Sequence, residues 1–140
     1  ADFTMHCYDS WASMRVEDFH SSEAVTPQRY AAASLARARR NLNRFAERIV
    51  FHPGYLPEAF SIPPPGPQTV VYLSIDLNAV RPTLAALENF LPRLSDRAVI
   101  LFDDYGDPSH RPTKLAVDEF CSPLPGVLLK LPTGQAAYFA

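Results

Sequence analysis

The chain has 140 residues, a formal net charge of −2 and a hydrophobic content of 47%. This length suits a single domain over residues 1–140, and the near-neutral charge gives no electrostatic reason to bind nucleic acid or an anionic membrane surface. Apolar runs fall far short of the ~20 residues that a membrane span needs, and no signal-peptide pattern opens the chain. Two isolated cysteines favour buried free thiols over a disulfide, so we expect a cytoplasmic protein.

The first half of the chain predicts two strands separated by a helix. An apolar run over 3–8 is typical of a strand, and it ends at Asp9. A polar, irregular segment follows, which we interpret as a lid or a subunit contact of a homo-oligomer. The pair Thr26–Pro27 has the pattern of a helix N-cap and its first position, and we expect that helix to end near residues 45–47. Residues 48–52 predict the second strand.

The second half predicts an α/β sheet that finishes in a hairpin. The β-branched runs 70–75 and 98–102 are typical of strands, and leucines at 3-4-3 spacing after Pro82 indicate an amphipathic helix between them. A crossover of this kind makes the two strands parallel. A further helix over 112–120 precedes two short strands in 127–139, joined by a glycine turn as in an antiparallel hairpin.

Three carboxylates follow the two β-branched strands at the point where each strand ends. Asp76 closes the first, and Asp103 and Asp104 close the second. If the strands are neighbours, these side chains share the carboxyl edge of the sheet, where open α/β sheets bind ligands. Two carboxylates about 4 Å apart repel each other by roughly 4 kcal/mol at an effective dielectric of about 20. We therefore expect a hard divalent cation among them. In the alternative interpretation these acids only cap helices or turns.

Five short motifs, taken in order, resemble those of class I S-adenosylmethionine-dependent methyltransferases. The narrower resemblance is to the macrocin O-methyltransferase family, whose members methylate sugar hydroxyls on antibiotics. It implies a Rossmann-like sheet with a C-terminal antiparallel hairpin. The residues that carry it are Tyr8–Trp11, Gly54–Glu58, Ser74–Asn78 with Thr83 downstream, Phe102–Gly106 and Lys114–Phe120.

The resemblance implies a set of residues that bind S-adenosylmethionine. Asp9 corresponds to the acid that closes the second strand of such enzymes and hydrogen-bonds the ribose hydroxyls of the cofactor. Ser10, Tyr55 and Asp76 are assigned to the same site, with Tyr55 stacking on the adenine. Two alternatives remain open at this stage: Asp9 caps the turn that follows it, and Tyr55 belongs to the core.

The resemblance also implies a metal site and a base. Asp76, Asp103 and Asp104 correspond to the ligands of a divalent metal, usually Mg²⁺, and Asp76 occupies the place of the general base. Tyr105 and His110 follow these ligands and are candidates for contact with the substrate. The alternatives are turn chemistry for Tyr105 and a solvent-exposed loop position for His110.

Two departures from the family pattern stand out. The family has a second acid two residues after the first, where this chain has Asn78. An amide can offer an oxygen to a metal but cannot accept a proton, so that role falls to Asp76 or to a group elsewhere in the site. The first strand and its glycine-rich loop also have no counterpart, and we expect that the natural protein contains them upstream.

The expected function is divalent-metal-assisted transfer of a methyl group from S-adenosylmethionine to a hydroxyl of a small molecule, a sugar of a glycosylated natural product. One alternative is a metal-dependent glycosyltransferase that uses a nucleotide sugar. Such enzymes favour an Asp-x-Asp pair, where this chain has Asp76 and Asn78. The other alternative is a non-catalytic fragment or binding module.

Overall fold

The computed structural model describes residues 3–23 and 27–140, and the chain divides into two compact units. Each unit has its own sheet. The first unit comprises residues 1–16 and 26–67, and the second comprises residues 17–25 and 68–140.

The first unit contains a two-stranded parallel sheet. Strand β1 covers Met5–Asp9 and strand β2 covers Ile49–Pro53, with His6 opposite Val50 in the register. Both strands lie within one or two residues of their predicted positions. Their parallel pairing follows from the helical crossover between them.

The crossover is not the single long helix that the sequence predicted. It consists of a 3₁₀ turn over Pro27–Tyr30, helix α1 over Leu35–Asn41 and a 3₁₀ helix over Asn43–Arg48. Ser34 has an extended backbone, and its side chain accepts a hydrogen bond from the backbone N–H three residues on, so it caps a new helix. Serine favours such caps over helix interiors, which explains the break. Thr26, the predicted cap, lies outside the described residues.

The second unit contains a four-stranded mixed sheet in the order β3-β4-β6-β5. Strand β3 (Val70–Ile75) pairs parallel with β4 (Leu94–Phe102), as predicted. Strands β5 (Val127–Lys130) and β6 (Ala136–Phe139) form the predicted antiparallel hairpin, and β6 also pairs antiparallel with β4. The hairpin therefore extends the parallel pair on the β4 side.

One face of this sheet belongs to the core of the second unit. Ile100 of β4 and Tyr138 of β6 lie opposite each other and are almost fully buried. Helix α2 (Val80–Phe90) contacts both β3 and helix α3 (Arg111–Cys121). Burial of each large apolar side chain contributes roughly 1.5–3 kcal/mol.

No helix in the described part of the chain is long and apolar enough to cross a membrane.

The helical faces differ in part from those predicted. Leu87 is fully buried, but Leu94 lies in β4 because a 3₁₀ turn over Leu91–Arg93 ends the helix. In α3 the buried residues are Val117 and Cys121. Those two positions are one helical turn apart and share a face, which leaves Leu115 exposed although an apolar residue in this amphipathic helix was expected to be buried.

The opposite face of the sheet carries an exposed apolar row. The register aligns Tyr72, Val99, Phe139 and Val127 across the four strands. Tyr72 and Val127 are each 55% exposed and Phe139 is 44% exposed. Sheets ordinarily bury such rows against another layer, so this surface is unusually apolar for one that faces solvent.

Glu23 joins the segment 17–23 to the helices of the second unit. Its carboxylate accepts hydrogen bonds from the backbone N–H of Val80 at 3.1 and 3.3 Å and from the Thr113 hydroxyl at 3.3 Å. Ala79, the N-cap residue of α2, has no capping side chain. A carboxylate at a helix N-terminus satisfies exposed N–H groups and interacts favourably with the helix dipole. Glu23 therefore caps α2 from 57 residues away in the sequence.

Both cysteines are free thiols, as predicted. Cys121 is buried, and its burial, with a smaller effect of Asp118, raises its pKa to about 11. Cys7 is half-buried, and burial followed by the charge of Asp9 raises its pKa as well. Both side chains are thus protonated at neutral pH and behave as small core residues rather than nucleophiles.

A pair of hydrogen-bonded histidines joins β1 to β2. Nδ1 of His6 lies 2.9 Å from Nε2 of His52, and the His52 ring stacks on Tyr8 with centroids 4.1 Å apart. Burial lowers the pKa of both histidines, and His6 lowers that of His52 further. The folded first unit therefore favours neutral imidazoles at these positions.

We expect the first unit to lose stability as the pH falls from 7.5 to 5.5. The unfolded chain takes up protons near the ordinary histidine pKa of about 6.5, whereas the folded chain resists them, so the loss begins as the pH drops through that value. Urea unfolding followed by the fluorescence of Trp11, the single tryptophan, reports on this unit because the indole packs edge-on against Phe51 at 5.8 Å.

A variant with His6→Gln keeps a hydrogen-bonding side chain that does not titrate, and its unfolding midpoint depends less on pH. The matched control, His20→Gln, changes an exposed histidine of the second unit and leaves the pH dependence as in the wild type. Equal pH dependence in all three proteins contradicts the assignment.

Candidate functional site

The three acids predicted to converge do lie together, at the carboxyl edge of β3 and β4. Ile75 and Phe102 are partners in the register, so the residues that follow them emerge side by side. The ligand oxygens of Asp76, Asp103 and Asp104 all lie within 4.8 Å of one another. Parallel, in-register pairing is thus sufficient to bring these three residues, which we call the acidic trio, to one point.

A small open cavity of about 20 Å³ lies at the acidic trio. Its wall comes entirely from the second unit, from the ends of β3 and β4, from α2 and from the start of α3. Asp76 is exposed, whereas Asp103 and Asp104 are half-buried. The cavity therefore opens to solvent on the side of Asp76, and its floor is negatively charged.

Asn78 and Gln135 hold two of the carboxylates. The Asn78 side-chain amide donates to Oδ1 of Asp76 at 3.0 Å, and Asn78 itself has a left-handed backbone with φ of 55° that asparagine tolerates. The Gln135 amide donates to Oδ1 of Asp103 at 2.6 Å. Both contacts fix carboxylate orientation, which is what outer partners of metal ligands do.

The sequence analysis missed Gln135, whose position follows from the pairing of the C-terminal hairpin with β4. Strand β6 runs antiparallel to β4 with Ala136 opposite Phe102. The residue before Ala136 therefore lies beside the residue after Phe102, which places Gln135 at Asp103. Recognising this required the register of a pair of strands that are not adjacent in sequence.

Tyr105 and His110, the predicted substrate contacts, have different surroundings in the structure. The Tyr105 hydroxyl donates to Asp118, which also binds Lys114, and the Lys114 ammonium lies 4.7 Å from the centre of the Tyr105 ring. Burial, then the hydrogen bond to Asp118, raises the pKa of Tyr105. His110 is only 8% exposed, so the interpretation as a solvent-exposed loop histidine is wrong. Both residues line the cavity.

The remaining predicted cofactor residues, Asp9, Ser10 and Tyr55, belong to the first unit. Asp9 is exposed at the end of β1, and its Oδ1 accepts a hydrogen bond from the Trp11 N–H at 2.7 Å, so it does cap the turn. The Ser10 hydroxyl bonds within the same turn. Tyr55 donates its hydroxyl to the Ser13 carbonyl at 2.7 Å.

Comparison with known proteins identifies the family. Residues 1–105 match the model of a methyltransferase domain. The chain belongs to this methyltransferase family. Membership favours methyl transfer over the glycosyltransferase alternative, because the match covers β1 to β4 and all three acids of the trio. No curated protein matches the chain.

Two solved methyltransferase structures have folds similar to that of this chain. The chain resembles the O-methyltransferase NovP, with a TM-score of 0.83, 23% identity and coverage of 99% of this chain and 60% of that one. It also resembles the calicheamicin methyltransferase CalS11, with a TM-score of 0.72, 20% identity and coverage of 97% and 60%. These likenesses confirm the Rossmann-like methyltransferase fold. The chain spans 60% of the length of both structures.

If the acidic trio binds a divalent cation, Gln135 contributes to the affinity. We expect Gln135→Leu to weaken Mn²⁺ binding by about tenfold, because outer partners of metal ligands are worth about 10- to 100-fold. Electron paramagnetic resonance of free Mn²⁺ during a titration measures this. The control Gln68→Leu, at an exposed position before β3, leaves the affinity unchanged. Equal affinity in the two variants contradicts a role for Gln135.

Proposed function

We propose that the protein is an S-adenosylmethionine-dependent O-methyltransferase assisted by a divalent cation. The acceptor is a hydroxyl of a small molecule, a sugar of a glycosylated natural product. The observation that carries the proposal is the convergence of Asp76, Asp103 and Asp104 beside an open cavity in a chain of the methyltransferase family. The macrocin O-methyltransferase resemblance and the likeness to CalS11, a TDP-rhamnose 3′-O-methyltransferase, support a sugar acceptor.

The residues of the first unit fit a nucleoside-bearing cofactor. S-adenosylmethionine supplies a methyl group on a positively charged sulfur, which is already activated for transfer. Asp9 is an exposed carboxylate at the carboxyl end of a parallel strand, where acids of dinucleotide folds accept hydrogen bonds from ribose hydroxyls. One of its oxygens accepts from Trp11, and this contact orients the carboxylate. Ser10 and Tyr55 are assigned to the same binding site.

The acidic trio fits a hard cation such as Mg²⁺. Three carboxylate oxygens within 4.8 Å form an oxygen-only donor set, and the exposure of Asp76 leaves room for water or substrate oxygens. A cation bound there supplies Lewis acidity that lowers the pKa of a coordinated hydroxyl. Asp103, held by Gln135, and Asp104 position that charge. The mutual repulsion of the carboxylates, otherwise unfavourable, is then offset.

Asp76 serves as the general base in this proposal. It is the exposed member of the trio, and the Asn78 amide donating to Oδ1 fixes its orientation toward the cavity. Asn78 occupies the position of the family's second acid and cannot itself accept a proton. A positioned base typically contributes about 10²–10⁴-fold to the rate. Alignment of the acceptor hydroxyl by the cavity wall supplies much of the remainder.

Replacing Asp76 with Asn tests the base and ligand roles together. We expect methyl transfer to TDP-rhamnose and a panel of glycosides, followed with methyl-labelled S-adenosylmethionine, to fall by at least about 10²-fold. Binding of S-adenosylhomocysteine, measured by calorimetry, falls much less than turnover does, because Asp9, Ser10 and Tyr55 of the proposed cofactor site are unchanged.

The matched control is Asp96→Asn, an exposed acid of β4 away from the trio, which retains full turnover. Undiminished transfer by the Asp76→Asn variant removes Asp76 from the mechanism. Stabilisation by TDP or UDP with Mn²⁺, and none by S-adenosylhomocysteine, contradicts methyl transfer.

A further inference from the structure

A second group of ligands lies next to the acidic trio and includes a nitrogen donor. Asp104, Asp107 and His110 place their ligand atoms within 4.8 Å of one another. Asp107 directly precedes the 3₁₀ turn Pro108–His110, and His110 is the last residue of that turn. The turn leads directly into α3. We propose that these three residues, which we call the His110 site, bind a divalent transition-metal ion such as Zn²⁺.

His110 is the observation that separates this group from an ordinary acidic cluster. The residue is 8% exposed, and its Nε2 atom is buried with no hydrogen-bond partner among residues 3–23 and 27–140. A ring nitrogen removed from water without a partner is unfavourable, so native proteins rarely leave one in that state. A coordinate bond from Nε2 to a metal satisfies the atom.

The distances between the donors suit a metal better than a direct contact. Nε2 of His110 lies 3.9 Å from Oδ2 of Asp104, which is too long for a hydrogen bond. Two ligands bound to one Zn²⁺ at about 2.1 Å lie no more than about 4.2 Å apart. A single ion between these two atoms therefore reaches both without a large movement of either side chain.

Asp107 completes the site from the solvent side. It is exposed, and its Oδ1 accepts hydrogen bonds from the backbone N–H and the hydroxyl of Ser109, both at 2.8 Å, which fix the side chain. An exposed ligand gives an ion a route to the buried imidazole. Imidazole together with carboxylates favours Zn²⁺ or related transition metals, whereas the oxygen-only trio favours Mg²⁺.

The two groups share Asp104, whose carboxylate has two oxygens. The His110 site is defined by its own residues and does not depend on methyl transfer. Loss of Zn²⁺ binding at the His110 site can therefore be distinguished from loss of methyl transfer.

The test observes His110 directly. The chain has four histidines, so long-range ¹H–¹⁵N correlation spectra of the imidazoles contain few signals. We expect one equivalent of Zn²⁺ to shift the Nε2 resonance of His110 to the range of a metal-bound nitrogen, while Mg²⁺ leaves it unmoved. Assignment comes from His110→Asn, which lacks the signal.

Two variants measure the affinity by competition with a chromophoric chelator. His110→Asn and Asp107→Asn each weaken Zn²⁺ binding by about tenfold or more, since even outer partners of ligands are worth that much. Asp107→Asn changes an exposed residue and keeps an oxygen that can cap the 3₁₀ turn, so folding is preserved. The control His20→Asn, at an exposed histidine of the same unit, keeps the wild-type affinity. An unmoved His110 resonance, or equal Zn²⁺ affinity in wild type and Asp107→Asn, overturns the proposal.

Discussion

The in-register, parallel pairing of β3 with β4 is the constraint on which the rest of the site depends. Because Ile75 and Phe102 are partners, Asp76 and Asp103 leave the sheet at the same level, and the Asp103 N–H donates to the Ile75 carbonyl at 3.0 Å. The backbone therefore holds the like charges of the acidic trio together against their repulsion. In the proposed function a divalent cation offsets that repulsion.

Elements distant in sequence stabilise this edge. The C-terminal hairpin brings Gln135 to Asp103 through the antiparallel pairing of β6 with β4. Glu23 caps α2, the helix that follows Asp76 and Asn78, and contacts α3 at Thr113. The irregular segment before residue 24 is thus in part a structural support of the second unit. The other face of the sheet, with its exposed apolar row, contributes nothing to the cavity.

The strands and the acidic trio could be predicted because their causes are local. A β-branched run ending in Asp is visible in the sequence, and crossover topology then dictates which edge the acids share. The break in the crossover helix was missed because the sequence alone does not distinguish Ser34 as an N-cap from a serine in a helix interior. Its extended backbone and its side-chain hydrogen bond show the cap only in the structure. The burial of His110 was missed because the 3₁₀ turn that orients it depends on Asp107 accepting from Ser109. Gln135 and Glu23 act across 32 and 57 residues, a separation that only the folded register reveals.

Anomalous diffraction from crystals grown with Mn²⁺ tests the central claim most directly. Coordination by the trio predicts a strong peak within coordination distance of one oxygen each of Asp76, Asp103 and Asp104, with the strand register unchanged. Side chains that turn away from one another around an empty centre, at an Mn²⁺ concentration that saturates binding in solution, contradict it.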